Sequence, residues 1–150
     1  MGFIRSFERL STAKTMYELP KRSTKHSAGY DFIAPYRVVF KPKEITLART
    51  GVKAQMLDDE VLLLFNRSSN PKKKNLVLIN GVGVIDADYY NNPDNEGEIL
   101  FAFYNMSNEE VVIEKGEKLG QGMFTGFFKT TNEILNDIEE RKGGFGSTGN

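Results

Sequence analysis

The sequence predicts an all-β single domain of the sandwich, jelly-roll or barrel type, followed by a glycine-rich C-terminal arm. Three observations predict it. Short β-rich runs recur at spacings of about ten residues, clusters of turn formers separate them, and the composition shifts abruptly to glycine after Glu140. At 150 residues the chain fits one domain large enough to bury a core without staples.

The runs are YRVVF at 36–40, ITL at 45–47, VLLLF at 61–65 and LVLI at 76–79. EILFAFYN at 98–105, EVVIE at 110–114 and GMFTGFF at 122–128 follow. Between them LDDE, NPKKKN, NNPDNEGE and EKGEK read as turns. NEILNDIEE at 132–140 has a helical period with Asn132 as its candidate cap, and reads equally as a polar linker. No internal repeat or second domain is visible. Residues 1–140 therefore read as the domain and 141–150 as an arm.

Composition excludes several classes. There is no cysteine, so neither a disulfide framework nor a thiolate metal site exists. Lysine plus arginine equals aspartate plus glutamate, 20 each, so no global field attracts nucleic acid. The first ten residues carry Arg5, Glu8 and Arg9, unlike a signal peptide, and no apolar stretch reaches the ~20 residues of a spanning helix. The expectation is a soluble cytoplasmic protein without membrane contact. His26, the single histidine, stands in the polar stretch KRSTKHSAG and reads as a surface loop residue. That leaves no histidine-based triad or zinc site.

Three familiar motifs also fail. GFGSTG at 144–149 fits G-x-G-x-x-G, but only Asn150 follows, where a dinucleotide site needs a helix. A calcium loop counted from Asp86 would need glycine sixth and glutamate twelfth, and those places hold Asn91 and Gly97. No Walker A pattern occurs.

What remains is suggestive. In GVGVIDADYYNNPDNEGE, Val84 and Ile85 deliver Asp86 to a strand end, with Asp88 and Tyr89 next. The stretch is either a solvated acidic hairpin or a rigidly held carboxylate that positions a water. SAGYDFIA places Asp31 at the mouth of a strand. FNRSSNPKKKN leaves a strand into Arg67, Ser68 and Ser69, where a guanidinium, hydroxyls and turn amides make a phosphate cradle. Lys72, Lys73 and Lys74 read as a solvated turn.

Together these stretches resemble the trimeric dUTP diphosphatases (dUTPases). All five motifs of that family occur in order: SAGYDFIA, NRSSNPKKKNLVLIN, GVGVIDADYY, EKGEKLGQGMF and RKGGFGSTG. The resemblance spans about residues 20–149, and NNPDNEGE is most similar to phage- or prophage-borne members. It implies a jelly-roll homotrimer with sites assembled from three chains. It implies Mg²⁺ on the triphosphate, and hydrolysis of dUTP to dUMP and pyrophosphate, which keeps uracil out of DNA and supplies dUMP for dTMP synthesis. By the same resemblance Asp86 activates the attacking water, and Tyr89 packs on deoxyribose and excludes a 2′-hydroxyl. Asn80, Gly83, Val84 and Ile85 belong to the uracil-reading hairpin. Arg67, Ser68, Ser69 and Gln121 contact phosphates, and Asp31 holds magnesium through water. Arg141, Phe145, Gly146, Ser147 and Thr148 form the closing arm.

Elementary chemistry supports these implications. Mg²⁺ binds through substrate phosphates and one or two carboxylates, so few protein ligands are required. An aspartate is a weak base at neutral pH, so positioning of the water must supply much of the rate. Uracil and cytosine present reversed hydrogen-bonding edges, which backbone groups around residues 80–84 can discriminate. Glycines at 81 and 83 would let that backbone come close to the base. Ordering a ten-residue arm costs on the order of 10 kcal/mol. Stacking by Phe145 returns about 1–3 kcal/mol, so closure also needs several phosphate contacts at about 1.5–3 kcal/mol each.

The chain departs from the common pattern twice. Arg141 stands four residues before Phe145 instead of five, and motif two begins with Asn66 instead of proline, which alters strand geometry more than chemistry. Two alternatives follow. A dCTP deaminase would carry its glutamate directly before FYN, where this chain has Ala102. A regulatory protein that retains the fold and occupies a protein partner would use the insert-like NNPDNEGE loop.

Overall fold

The computed structural model describes residues 5–13 and 17–135. In chain order the strands are β1 (Ser6–Arg9), β2 (Lys21–Arg22), β3 (Tyr30–Ile33), β4 (Val38–Phe40), β5 (Ile45–Arg49) and β6 (Val52–Gln55). They continue as β7 (Glu60–Phe65), β8 (Leu76–Leu78), β9 (Gly83–Asp86), β10 (Leu100–Asn105), β11 (Val111–Ile113) and β12 (Lys118–Gly126). The all-β expectation holds, and every predicted run contains a strand. A five-stranded sheet runs β2-β3-β12-β7-β9, a three-stranded sheet β5-β10-β8, and two further pairs join β1 to β6 and β4 to β11. All pairings are antiparallel.

The core lies between the two larger sheets. Phe32, Leu62, Leu64 and Leu119 come from one; Ala48, Leu76, Phe101 and Phe103 come from the other. Phe32 meets Phe101 edge-on at 5.3 Å and Phe40 meets Phe103 at 5.7 Å. Such pairs add about 0.5–1.5 kcal/mol beyond the area they bury. The glycines of LGQGMF make this possible. A Cβ on Gly120 would stand 2.4 Å from the Phe101 ring, so the middle of β12 has no room for a side chain.

Three strands were not legible as such. β1 (SFER), β2 (KR) and β6 (VKAQ) carry charges where a strand pattern wants apolar residues. Their pairing is decided by distant partners. Lys53 in β6 is buried because its ammonium donates to Asn91 Oδ1 and Glu96 Oε2, each at 2.6 Å, and lies over the Tyr90 ring. The 132–140 segment begins as a 3₁₀ turn at Thr131–Leu135, with Asn132 inside the turn and not capping it; the remainder lies outside the described residues. NPKKK forms one π-helical turn, Asn70–Lys74, closed by Asn75 in the left-handed region at φ 54°. Lys72 and Lys73 are exposed on it, as expected, whereas Lys74 is half-buried and ion-paired with Glu117 at 3.5 Å.

The loop at 91–98 is solvated only at Asn91, Pro93 and Asp94. Asn92 and Glu98 are buried, Arg49 clasps Glu98, and Glu96 accepts from Lys53 and from the Ser11 N–H and hydroxyl. These donors, Lys53 foremost, hold the Glu96 carboxyl down from 4.5 to about 2. A carboxyl depressed in the folded state stabilises fully above its unfolded value and loses that stabilisation as pH falls toward the folded one. We therefore expect stability to fall between pH 4.5 and about 2. Glu96→Gln should lower stability at pH 7 by about 1–3 kcal/mol, and its stability should change less over that acid range. Urea unfolding at pH 7 and in acid checks both; a variant that tracks the parent throughout removes Glu96 from this role.

Candidate active site

At one end of the five-stranded sheet, β12 sets Gln121 directly between Asp31 on β3 and Phe65 on β7. Residues paired across strands share a face, so the carboxylate and the amide point the same way. The Gln121 side chain lies over Gly29, where a Cβ would come within 2.4 Å of its Oε1, and its Nε2 reaches the Asn66 carbonyl at 3.4 Å. β7 ends at Phe65 and the chain turns through Arg67, Ser68 and Ser69. Ser68 is exposed, and Arg67 and Ser69 are half-buried. Gln121, Asp31 and the turn at 67–69 are therefore brought to the same end of the sheet within one chain.

Asn66 and Asn70 fix the shape of that turn. Asn66 Oδ1 accepts from the Arg67 N–H at 2.9 Å and from Asn70 Nδ2 at 2.8 Å, while its Nδ2 donates to the Leu76 carbonyl at 3.0 Å. Asn70, fully buried, also donates to the Leu119 carbonyl at 3.0 Å, two residues before Gln121. Asn66 in place of proline thus does more than bend a strand. It ties the Arg67 turn to β8 and, through Asn70, to β12.

The second group of residues lies on β9, at the edge of the sheet. Asp86 is the last residue of the strand, as expected, and pairs with Val61 on β7. A 3₁₀ turn, Ala87–Tyr89, follows at once. Asn80 is exposed in the turn from β8 to β9, which is closed by the Gly81 N–H on the Leu78 carbonyl. Ile85 packs on the core, and Val84 is 60% exposed. The two glycines have local reasons. Gly81 has φ +73°, and a Cβ on Gly83 would stand 3.0 Å from Leu64 Cβ, so the glycine at 83 serves strand packing within the chain.

These two groups do not meet within one chain. Val61 and Phe65 lie on the same face of β7, four residues apart, which separates the Asp86 row from the Gln121 row by about 13 Å along the strands. Asp31 is displaced from β9 by three further strand spacings, about 14 Å. Arg141, Phe145, Gly146, Ser147 and Thr148 lie outside the described residues.

The donor set fits a magnesium ion carried in by phosphates. Among the described residues no cluster of three metal-ligating side chains exists. Asp31, its side chain 16% exposed and ion-paired with Lys118 at 3.1 Å, offers one carboxylate beside the cradle. One carboxylate with bridging water is what phosphate-borne Mg²⁺ requires.

A sequence profile of the dUTPase family matches residues 15–149. A deoxyuridine 5′-triphosphate nucleotidohydrolase of Lactococcus lactis is 56% identical over 147 residues, covering 97% of this chain and 98% of the relative.

The chain belongs to the dUTPase family.

The crystal structure of the dUTPase from Streptococcus mutans agrees, with 52% identity and a TM-score of 0.80 over 83% of this chain and 97% of that one. The dUTPase of phage phi11 of Staphylococcus aureus superposes with a TM-score of 0.70 over 92% of this chain and 97% of that one. At 24% identity that likeness is one of fold. The fold is accordingly the jelly-roll-like one of dUTPases, and the chain is an enzyme, a nucleotide pyrophosphohydrolase acting on dUTP-like nucleotides.

In this dUTPase, Gly29, Asn66, Asn70 and Lys118 shape the site without having been singled out for it in the sequence. Gly29 had a signal, a glycine just before the strand that carries Asp31. Asn66 had one as well, standing where motif two usually begins with proline, though it was read only as altering strand geometry; Asn70 had none, since its bond runs to the distant Leu119 carbonyl. β10 presents no carboxylate, and Ala102 stands where a deaminase would carry glutamate.

Proposed function

We propose that this dUTPase hydrolyses dUTP to dUMP and pyrophosphate in the cytoplasm, using water activated by Asp86, at sites shared between copies of a homotrimer. In doing so it keeps uracil out of DNA and supplies dUMP. The observation that carries the reading is the gathering of Asp31, Gln121 and the Arg67 turn at one end of a sheet face whose other end carries Asp86. A triphosphate held at the first group is out of reach of the same chain's Asp86, so a neighbouring copy has to supply that carboxylate. Ile45, Leu47 and Ile79, each about half exposed on or beside the three-stranded sheet, are apolar surface suited to such an assembly.

Arg67, Ser68, Ser69 and Gln121 bind phosphate oxygens, and Asp31 would hold Mg²⁺ through water. The ion, when bound, neutralises phosphate charge. Asp86 takes a proton from the water whose oxygen attacks the α-phosphorus, and the bridging oxygen leaves with pyrophosphate. The backbone from Asn80 to Val84 reads the uracil edge, with Ile85 fixing that strand on the core. Tyr89 packs on deoxyribose. Arg141, Phe145, Gly146, Ser147 and Thr148 close over the triphosphate.

Pyrophosphate release should be measured with dUTP, dCTP, dTTP and UTP, with and without Mg²⁺. Release from dUTP alone, and only with the metal, is expected. Ammonia release, or equal rates on all four, would overturn the reading.

A further inference from the structure

The loop at 91–98, which the sequence offers as a surface for a partner, closes on Tyr89 from both ends of that residue. Asn92 Nδ2 donates to the Tyr89 carbonyl at 2.7 Å. Asn95 Nδ2 donates to the Tyr89 phenolic oxygen at 2.7 Å, and that phenol donates to the Glu98 carbonyl, also at 2.7 Å. The circuit is completed inside the loop. Asn95 Oδ1 accepts from Asn92 Nδ2 at 2.8 Å and from the Gly97 N–H at 3.0 Å, and Asn92 Oδ1 accepts from the Asp94 and Asn95 N–H groups. The loop can close this tightly only because residue 97 is glycine. Its φ is +93°, and a Cβ there would stand 2.7 Å from the Tyr89 carbonyl oxygen.

We infer that Asn95 is a positioning residue for sugar selection: by bonding the tip of Tyr89 it turns that ring into a fixed wall against a 2′-hydroxyl. This rests on the reading that Tyr89 packs on the sugar. Rejecting one added oxygen requires a surface that does not yield by a few tenths of an ångström, because close-packed walls discriminate by refusing to move. Tyr89 is 5% exposed, so its neighbours hold most of the side chain and leave only a narrow surface to meet a sugar. The remaining freedom is tilt about Cβ, and a phenol bonded once as donor and once as acceptor has none to spare.

The test measures kcat/KM for dUTP and for UTP on the same preparations of wild type, Asn95→Ala, Tyr89→Phe and the double variant. The dUTP-to-UTP ratio is independent of the fraction of molecules correctly folded, so partial misfolding does not obscure it. Each single variant should lower the ratio about 3- to 10-fold, the effect expected from losing a side-chain hydrogen bond. The double variant should lower it no further than Tyr89→Phe does, since losing the phenol already removes the Asn95 contact. Unchanged ratios in the single variants, with dUTP hydrolysis retained, or fully additive effects in the double variant, overturn the inference. A wild-type enzyme that uses UTP as well as dUTP overturns instead the reading of Tyr89 on which it rests.

Discussion

Replacing Asp86 by asparagine should lower kcat by about 10²- to 10⁴-fold, the range general-base catalysis supplies, while the affinity for a non-hydrolysable dUTP analogue stays within about threefold. The geometry dictates that split. Asp86 ends an edge strand whose register with β7 is fixed along its length by the Val61, Leu62, Leu63 and Leu64 pairings. The amide of asparagine occupies the same place at nearly the same volume, so the strand, the hairpin at Asn80 and the 3₁₀ turn after it have no cause to shift. What disappears is the anionic acceptor for the water proton. The residues proposed to contact phosphate, Arg67, Ser68 and Gln121, stand about 13 Å away along the sheet in the same chain, and these are untouched. Single-turnover rates, with analogue binding by calorimetry, check both halves. A variant with near-parental kcat removes Asp86 from the chemistry. One that no longer binds the analogue makes it a binding residue.

How much of this was legible in the sequence depends on where each residue's partners lie. Asp86 could be read because Val84 and Ile85 just before it set a strand parity that ends on it. Asp31 could be read for the same reason in YDFI. Lys53 could not. A lysine between Val52 and Ala54 looks like the solvent face of a strand, and its burial depends on Asn91 and Glu96, some forty residues away. The bonds of Asn66 and Asn70 were opaque on the same principle. They run to the carbonyls of Leu76 and Leu119, and hydrogen bonds to distant backbone leave no periodicity. The glycines were legible only in part. Gly83 was read as clearance for a base, and within the chain a Cβ there would also come 3.0 Å from Leu64 Cβ on the neighbouring strand. A glycine records that something comes near without recording what.

Mixing two inactive variants should restore activity, and the amount restored tests how the site is built. Asp86→Asn lacks the base. The double variant Arg67→Ala with Gln121→Ala loses two phosphate contacts and should fall by about 10²-fold or more. If catalysis required both groups from one chain, no combination of these two chains would contain a sound site. The separation of about 13 Å along the strands, with two strand spacings between β9 and β12 besides, argues otherwise. In a trimer assembled at random from equal amounts of both chains, each site draws Asp86 from one copy and the phosphate pole from another. Every trimer that contains both chains, in either ratio, then carries about one sound site in three, since only one junction sets an intact Asp86 beside an intact phosphate pole. Co-expression with two different affinity tags, sequential purification and a pyrophosphate assay measure this fraction. Mixed trimers with about a third of wild-type activity per site establish that the base reaches the triphosphate from a neighbouring copy. Mixed trimers no more active than the separate variants place both poles of each site in a single chain, and the strand register would then have to bend far enough to join them.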